Sequence, residues 1–198
     1  MHRRQKAPYS RMKRLMLFFI ISLPLTGYGQ FVQFTKDSIP LADGKIVFTV
    51  NFKFDLSKEE FHKRAFSYLN DVMNPYSGGF RMNNDDYTLC RITDYIDFAD
   101  KIFETFGMYM TYDLQLGYKD SSCTMVIRNI TYMEKGYFEA KEKSERKLNM
   151  PEYPAEDIMV HKKYSLMLKK NASEKITEAS LKRINEIIKS LDYSFRKK

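Results

Sequence analysis

Three successive runs of alternating hydrophobicity constrain this chain more than any other feature. Residues 87–98 read YTLCRITDYIDF, residues 108–118 MYMTYDLQLGY and residues 123–132 CTMVIRNITY. Cys90, Ile92, Ile96 and Phe98 share one face of the first run, and Met110, Tyr112, Leu114 and Leu116 one face of the second. Period two with a single apolar face marks a half-buried strand. The polar turn over residues 119–122 leaves no room for a crossover between the last two runs, so the pattern predicts an antiparallel meander. A fourth run, KIVFTVNFKF at residues 45–54, alternates in the same way and precedes the meander.

Two helical patterns accompany the strands. The tetrapeptide SKEE at residues 57–60 reads as a capping box, with Ser57 accepting from the third helical amide and Glu60 reaching back. It opens a helix carrying Phe61, Ala65, Leu69, Val72 and Met73 at three-and-four spacing, closed by Asn74, Pro75, Gly78 and Gly79. Near the C-terminus, residues 177–191 place Leu181, Ile184, Ile187, Ile188 and Leu191 on one stripe. The mixed-charge run EAKEKSER, residues 139–146, reads as a solvated loop or helix end, and Pro151 and Pro154 mark a break. The order is thus β-α-β-β-β-α, an antiparallel sheet with two helices packed on one face. That is an α+β architecture.

The first 29 residues read as a leader and not as part of this domain. Lys13 and Arg14 form a basic region, residues 15–25 are apolar apart from Ser22 and Pro24, and Gly27 and Gly29 stand two apart before Gln30. This is the pattern of a secretory signal peptide, with Met12 as an alternative start. Eleven apolar residues fall short of the roughly 20 that a bilayer-spanning helix needs, so no permanent membrane span is expected in the mature chain. Residues 30–198 are then one α+β domain, exported to the periplasm or secreted. The leader also accounts for most of the charge. It holds six of the 33 Lys and Arg and no acidic residue, which leaves 27 basic against 25 acidic side chains, a balance of +2. A duplex-binding surface concentrates positive charge to release counterions, so nucleic acid is not an expected partner.

The segment IPLADGKIVFT at residues 39–49, the capped helix, the meander, YPAEDIM at residues 153–159 and RINEIIKSL at residues 183–191 resemble the family catalogued as domain of unknown function 4468. The resemblance covers roughly residues 38–195. It implies an exported bacterial protein with a fold like the TATA-binding protein, and it transfers no catalytic site. A fold shared with a DNA-binding protein implies no DNA binding.

No established catalytic pattern emerges. The mature chain has two His, His62 and His161, and neither lies in a metal-ligand spacing. Asp94, Asp97, Asp100 and Glu104 form the densest acidic cluster, yet Asp94 and Asp97 point to opposite faces of a strand, and DYIDFADKIFE lacks the Gly turn of a calcium loop. Neither GxSxG, a Walker loop nor GxGxxG occurs. Cys90 and Cys123 sit on strands that flank the middle of the meander, roughly 9–10 Å apart, beyond the reach of a disulfide. They are expected as two free, core-packed thiols. Asn171, in the sequon Asn-Ala-Ser, reads as a turn before the last helix. No cofactor is expected.

What remains is the face of the sheet opposite the helices. Alternation puts Tyr87, Leu89, Arg91, Thr93 and Tyr95 there, with Val47, Thr49 and Asn51 from the first strand and Val126, Arg128, Ile130 and Tyr132 from the last. Tyr and Arg dominate binding hot spots, so Tyr87, Leu89, Arg91, Tyr95, Arg128 and Tyr132 form the expected interaction face of a non-enzymatic envelope module. Its partner would be an envelope protein, a ligand or a second copy. A different expectation is a small-molecule or lipid carrier, in which the 15 Phe and 12 Met line an apolar cavity between helices and sheet.

Overall fold

The computed structural model describes residues 32–73, 78–98, 107–143, 149–164 and 171–197, all within one compact unit, Phe31–Lys198. The expected leader, the expected helix stop at Asn74 and Pro75, the acidic residues Asp100 and Glu104, and residues 144–146 of the charged run lie outside the described residues.

The four expected strands form around the expected apolar positions. A small hairpin, β1 (Leu41–Ala42) and β2 (Lys45–Ile46), turns on Asp43 and Gly44, whose φ angles of 50° and 74° match the twist of paired strands. It leads into β3 (Phe48–Lys53), where Phe48, Val50 and Phe52 are buried and Thr49, Asn51 and Lys53 exposed. Helix α1 (Lys58–Val72) follows, then β4 (Gly78–Asn83), β5 (Tyr87–Asp97), β6 (Gly107–Lys119) and β7 (Ser122–Glu134). Beyond these come α2 (Lys135–Lys143), β8 (Tyr153–Pro154), a π-helical turn over Glu156–Val160 and α3 (Ala172–Arg196).

The sheet runs β3-β7-β6-β5-β4, antiparallel throughout, and β8 pairs with β7 past the end of β3. The chain returns β3 to the far side of β7, so the first strand and the meander share one sheet. Helices α1 and α3 cover one face. Phe61, Ala65 and Leu69 of α1 and Ile184, Ile187, Ile188, Leu191 and Phe195 of α3 are buried there with Cys90, Met110, Leu114, Leu116, Met125 and Ile127. Burying a side chain of this size stabilises by roughly 1.5–3 kcal/mol, so this single layer dominates the stability. The rings of Phe52 and Phe61 meet that of Phe195 edge-on, at 5.3 and 5.0 Å.

Polar contacts tie the helices down. Ser57 Oγ accepts the Glu60 amide at 3.2 Å, as expected, but the Glu60 carboxylate does not complete the box. It pairs with Arg64 Nε at 2.7 Å, and Asp120 accepts the amide of the first helical residue, Lys58. Arg64 in turn donates to the Phe195 carbonyl at 2.8 Å, placing a cation at the negative end of α3. Asn185 of α3 makes two 2.9 Å bonds with the backbone of Phe34, which fixes the entering chain.

Two elements depart from the expected pattern. Strand β4 forms from GGFRMN, which carries no alternation because its edge position buries little and a bulge at Arg81 breaks its register. The charged run, read as a loop or helix end, lies partly in α2. That helix sits on the opposite face from α1 and α3, where Phe138 stacks on Tyr109 with ring centroids 3.9 Å apart.

Candidate functional site

The outward face of the sheet collects most of the expected residues. In β5, Tyr87, Leu89, Arg91 and Tyr95 point away from the buried Cys90, Ile92 and Ile96. Tyr87 donates to the sulfur of Met82 on β4. Arg91 donates to Asp113 Oδ1 at 3.1 Å, and Asn129 occupies the other oxygen of that carboxylate at 2.8 Å. Arg128 reaches Gln115 at 3.4 Å. Tyr95, 40 % exposed, lies edge-on to Tyr109 at 5.2 Å with the Lys135 ammonium 5.6 Å from its ring centre. Its ring rests over Gly107, where a Cβ would come within 2.2 Å of it.

Tyr132 does not belong to this face. It is fully buried toward the helices, its hydroxyl 2.8 Å from Ser180 of α3, and Ile130 is buried beside it. The cause is a bulge in β7. Pairing with β6 runs Asp113 to Arg128 and then Thr111 to Thr131, so one extra residue is accommodated, and Asn129 takes a left-handed φ of 55°. One extra residue reverses every side chain beyond it. Cys123, Met125 and Ile127 therefore point inward before the bulge, and Ile130 and Tyr132 after it.

On the outward face, α2 and β4 border a cleft of about 500 Å³. Its lining includes Arg81, Arg91, Lys141, Thr93, Thr111 and Phe138. The Thr93 and Thr111 hydroxyls are 2.9 Å apart across the β5–β6 pair. Gly79, opposite Arg91 in the ladder, leaves its side of the cleft open, since a Cβ there would meet nothing within 4 Å. Of these residues the sequence analysis singled out only Arg91 and Thr93. The Gly78-Gly79 pair was legible as a helix stop but not as an edge strand, and α2 lies in a run whose charges hide its packed side.

A second depression, about 800 Å³, runs between α1 and α3 on their solvent side. Three of its charged groups are committed to one another or to the end of α3. Glu60 pairs with Arg64 and Lys63, and Arg64 is held by the end of α3.

The remaining expectations resolve as structural roles. Asp94 points inward and Asp97 outward, so the two carboxylates do not converge. Asp94 instead takes Arg183 Nε at 2.7 Å and Nη2 at 3.2 Å, with the Tyr112 hydroxyl at 2.8 Å. Burial disfavours the guanidinium charge, but the hydrogen bond and the attraction of Asp94 outweigh it, so the Arg183 pKa is raised. Burial raises the Tyr112 hydroxyl well above its usual range. His62 is half-buried and bonds Asn83 at 2.9 Å, joining a chain through Thr88 to Tyr118. Cys90 and Cys123 are free and buried, and desolvation pushes both thiols from 9.0 up to about 12. Among the described residues, no group of three His, Cys, Asp or Glu is placed to hold a metal, and no helix is long and apolar enough to cross a membrane.

An antiparallel sheet with long helices on one face and a bulged meander defines the class as α+β, TBP-like. Solved structures share this fold, two of them from Bacteroides and Parabacteroides. A DUF4468 family protein from Bacteroides ovatus ATCC 8483 superimposes with a TM-score of 0.63 at 14 % identity, covering 81 % of this chain and 91 % of that one. A TBP-like protein from Parabacteroides distasonis ATCC 8503 gives 0.60 at 16 % identity, over 80 % and 97 %. At these identities the likeness is one of fold, the one the resemblance in the sequence implied. No protein-family model matches the chain, and no curated protein does.

Proposed function

We propose that the chain is an exported, non-enzymatic envelope or periplasmic module that binds a partner or ligand through the outward face of its sheet. The observation that carries this reading is the pairing of a half-exposed Tyr, Leu and Arg surface with a recess under α2. Recognition surfaces combine aromatic and Arg anchors with a polar rim, and small-molecule sites are concave. The fate of the described nucleophiles and acids supports a non-enzymatic role. The thiols are desolvated, Asp94 is neutralised by Arg183, and His62 is engaged by Asn83.

The carrier reading has less support. Phe61, Leu69, Tyr112, Tyr132 and Phe195, each 2 % exposed or less, fill the space between helices and sheet where a cavity would lie. The leader, which carries the export half of the proposal, is tested by N-terminal sequencing of protein from the native envelope. The mature chain should begin at Gln30, and an intact segment over residues 12–29 would overturn export.

Photo-crosslinking tests the surface. With Tyr95→p-benzoylphenylalanine or Arg128→p-benzoylphenylalanine in the native host, adducts should form, including any with a second copy. Tyr193→p-benzoylphenylalanine, on the 68 % exposed side chain of α3, should form none. Adducts from Tyr193 alone, or from none of the three, would reject the outward face as a surface for a macromolecular partner.

A further inference from the structure

The cleft under α2 has a charge arrangement more specific than a general sticky face. Three cations line it, from three separate elements: Arg81 from β4, Arg91 from β5 and Lys141 from α2. Arg81 is the extra residue of the β4 bulge, between Phe80 opposite Cys90 and Met82 opposite Leu89. A bulge of this kind re-aims one side chain out of the alternation. Among the described residues, neither Arg81 nor Lys141 has an ion-pair or hydrogen-bond partner. Arg91 spends one of the five donors of a guanidinium on Asp113, which fixes its plane and leaves the rest of the fork available. Asp113 is engaged on both oxygens, by Arg91 and by Asn129.

The hydroxyl pair adds a donor. Between Thr93 and Thr111, one hydroxyl donates and the other accepts, so the accepting hydroxyl keeps its own hydrogen for a ligand. Two carboxylates, Glu142 and Glu152, also line the cleft, and Glu152 already accepts from Thr131 at 2.6 Å. With Asp113 paired to Arg91, three cations meet three carboxylates, so the site is not an excess of positive charge but a dipolar one, with Arg81, Lys141 and the remaining donors of Arg91 available to an anion and Glu142 and Glu152 available as acceptors. A bare anion would meet repulsion from the Glu side. A ligand bearing both an anionic group and hydrogen-bond donors would satisfy both sides of the cleft.

We infer that this cleft binds a small hydroxylated organic anion, its carboxylate or phosphate held by Arg81, Arg91 and Lys141 and its hydroxyls by Glu142 and Glu152. The inference rests on the proposal that the outward face is the binding surface, and names the chemistry it would select. Carboxylate and phosphate share the recognition chemistry, since an arginine fork accepts either in two parallel bonds.

The test is an amide chemical-shift titration of the folded domain with three probes of one body: glucuronate, glucose 6-phosphate and glucose. At least one of the two acids should give saturable shifts at residues 78–82, 91–93 and 111, and which acid binds more tightly identifies the anionic group. Glucose should bind about tenfold more weakly or worse, a difference of about 1.4 kcal/mol. The double variant R81Q/K141Q should lose about tenfold or more in affinity for the preferred acid. G79V should block binding by filling the open side of the cleft without changing any charge. All three substitutions lie on exposed or edge positions, so the thermal midpoint serves as the control for folding. Equal binding of glucose, absence of saturation with both acids, or binding that survives both variants would overturn the inference. Crosslinks from Tyr95 in the absence of any probe binding would reject the anion chemistry alone. Probe binding without crosslinks would reject a macromolecular partner and leave the cleft as a ligand site.

Discussion

Asn129 and Asp94 show how much a single side chain decides here. Asn129 adopts φ 55°, which Asn tolerates better than most residues, and its amide fixes Asp113. We predict that Asn129→Gly and Asn129→Ala both lose the bond to Asp113, about 0.5 kcal/mol at this exposed site, and that Asn129→Ala costs about 1 kcal/mol more than Asn129→Gly because only Ala adds left-handed strain. Urea denaturation reads both, and equal losses in the two variants would refute the strain argument. Asp94 and Arg183 are 18 % and 32 % exposed at their side chains, so their pairing is only partly shielded from solvent. Asp94→Ala should cost about 2 kcal/mol, below the range for a fully buried pair, because solvent still screens the orphaned guanidinium. Adding Arg183→Met to Asp94→Ala should recover part of that loss, and a double-mutant cycle with no coupling would count against the pair.

Elements are held together by a few end contacts more than by their own propensity. Helix α3 ends against Arg64 of α1, which spans Glu60 on its own helix and the terminal carbonyls of α3. Arg64→Gln should lower stability by about 1 kcal/mol. Hydrogen exchange should localise the change to the last turn of α3, and uniform loss of protection would point to a global effect instead. Strand order has its own consequence for the cysteines. Because β6 lies between β5 and β7, Cys90 and Cys123 are held two strand spacings apart. Thiol titration of unfolded, non-reduced protein should find two free thiols, and the folded protein should show neither at neutral pH. Finding none after unfolding would contradict the strand order.

For the whole molecule, the buried acids set an alkaline limit. The thiols titrate near 9.0 when exposed and about 12 when folded, so between those values the unfolded chain binds fewer protons than the native one. The thiol contribution is therefore complete below about pH 9 and is lost as pH rises toward 12, at up to about 1.4 kcal/mol per pH unit for each thiol. Tyr112, Tyr118 and Tyr132, raised chiefly by burial, act in the same direction. Stability measured by urea should fall progressively above pH 9, and less steeply in the C90A/C123A variant. An identical slope in that variant would remove the thiols from the account.

The sequence by itself determined the fold class, the long amphipathic helices, the meander and the inward Cys90, because periodicity is a local property that burial on one face enforces. It put Tyr87, Leu89, Arg91, Tyr95 and Arg128 on the outward side of the sheet for the same reason, since parity holds along an unbroken strand. Only the tertiary structure decided the fate of Tyr132, because the bulge at Asn129 is a relation between two strands and leaves no period to read. It alone brought Arg81, Arg91 and Lys141 together across 60 positions of chain, through an edge bulge and a helix whose charged sequence gave no sign of which face of the sheet it would cover. Sheet order, helix placement and the cleft depend on contacts between distant segments, where the energy of burial is shared among elements and no single stretch encodes it.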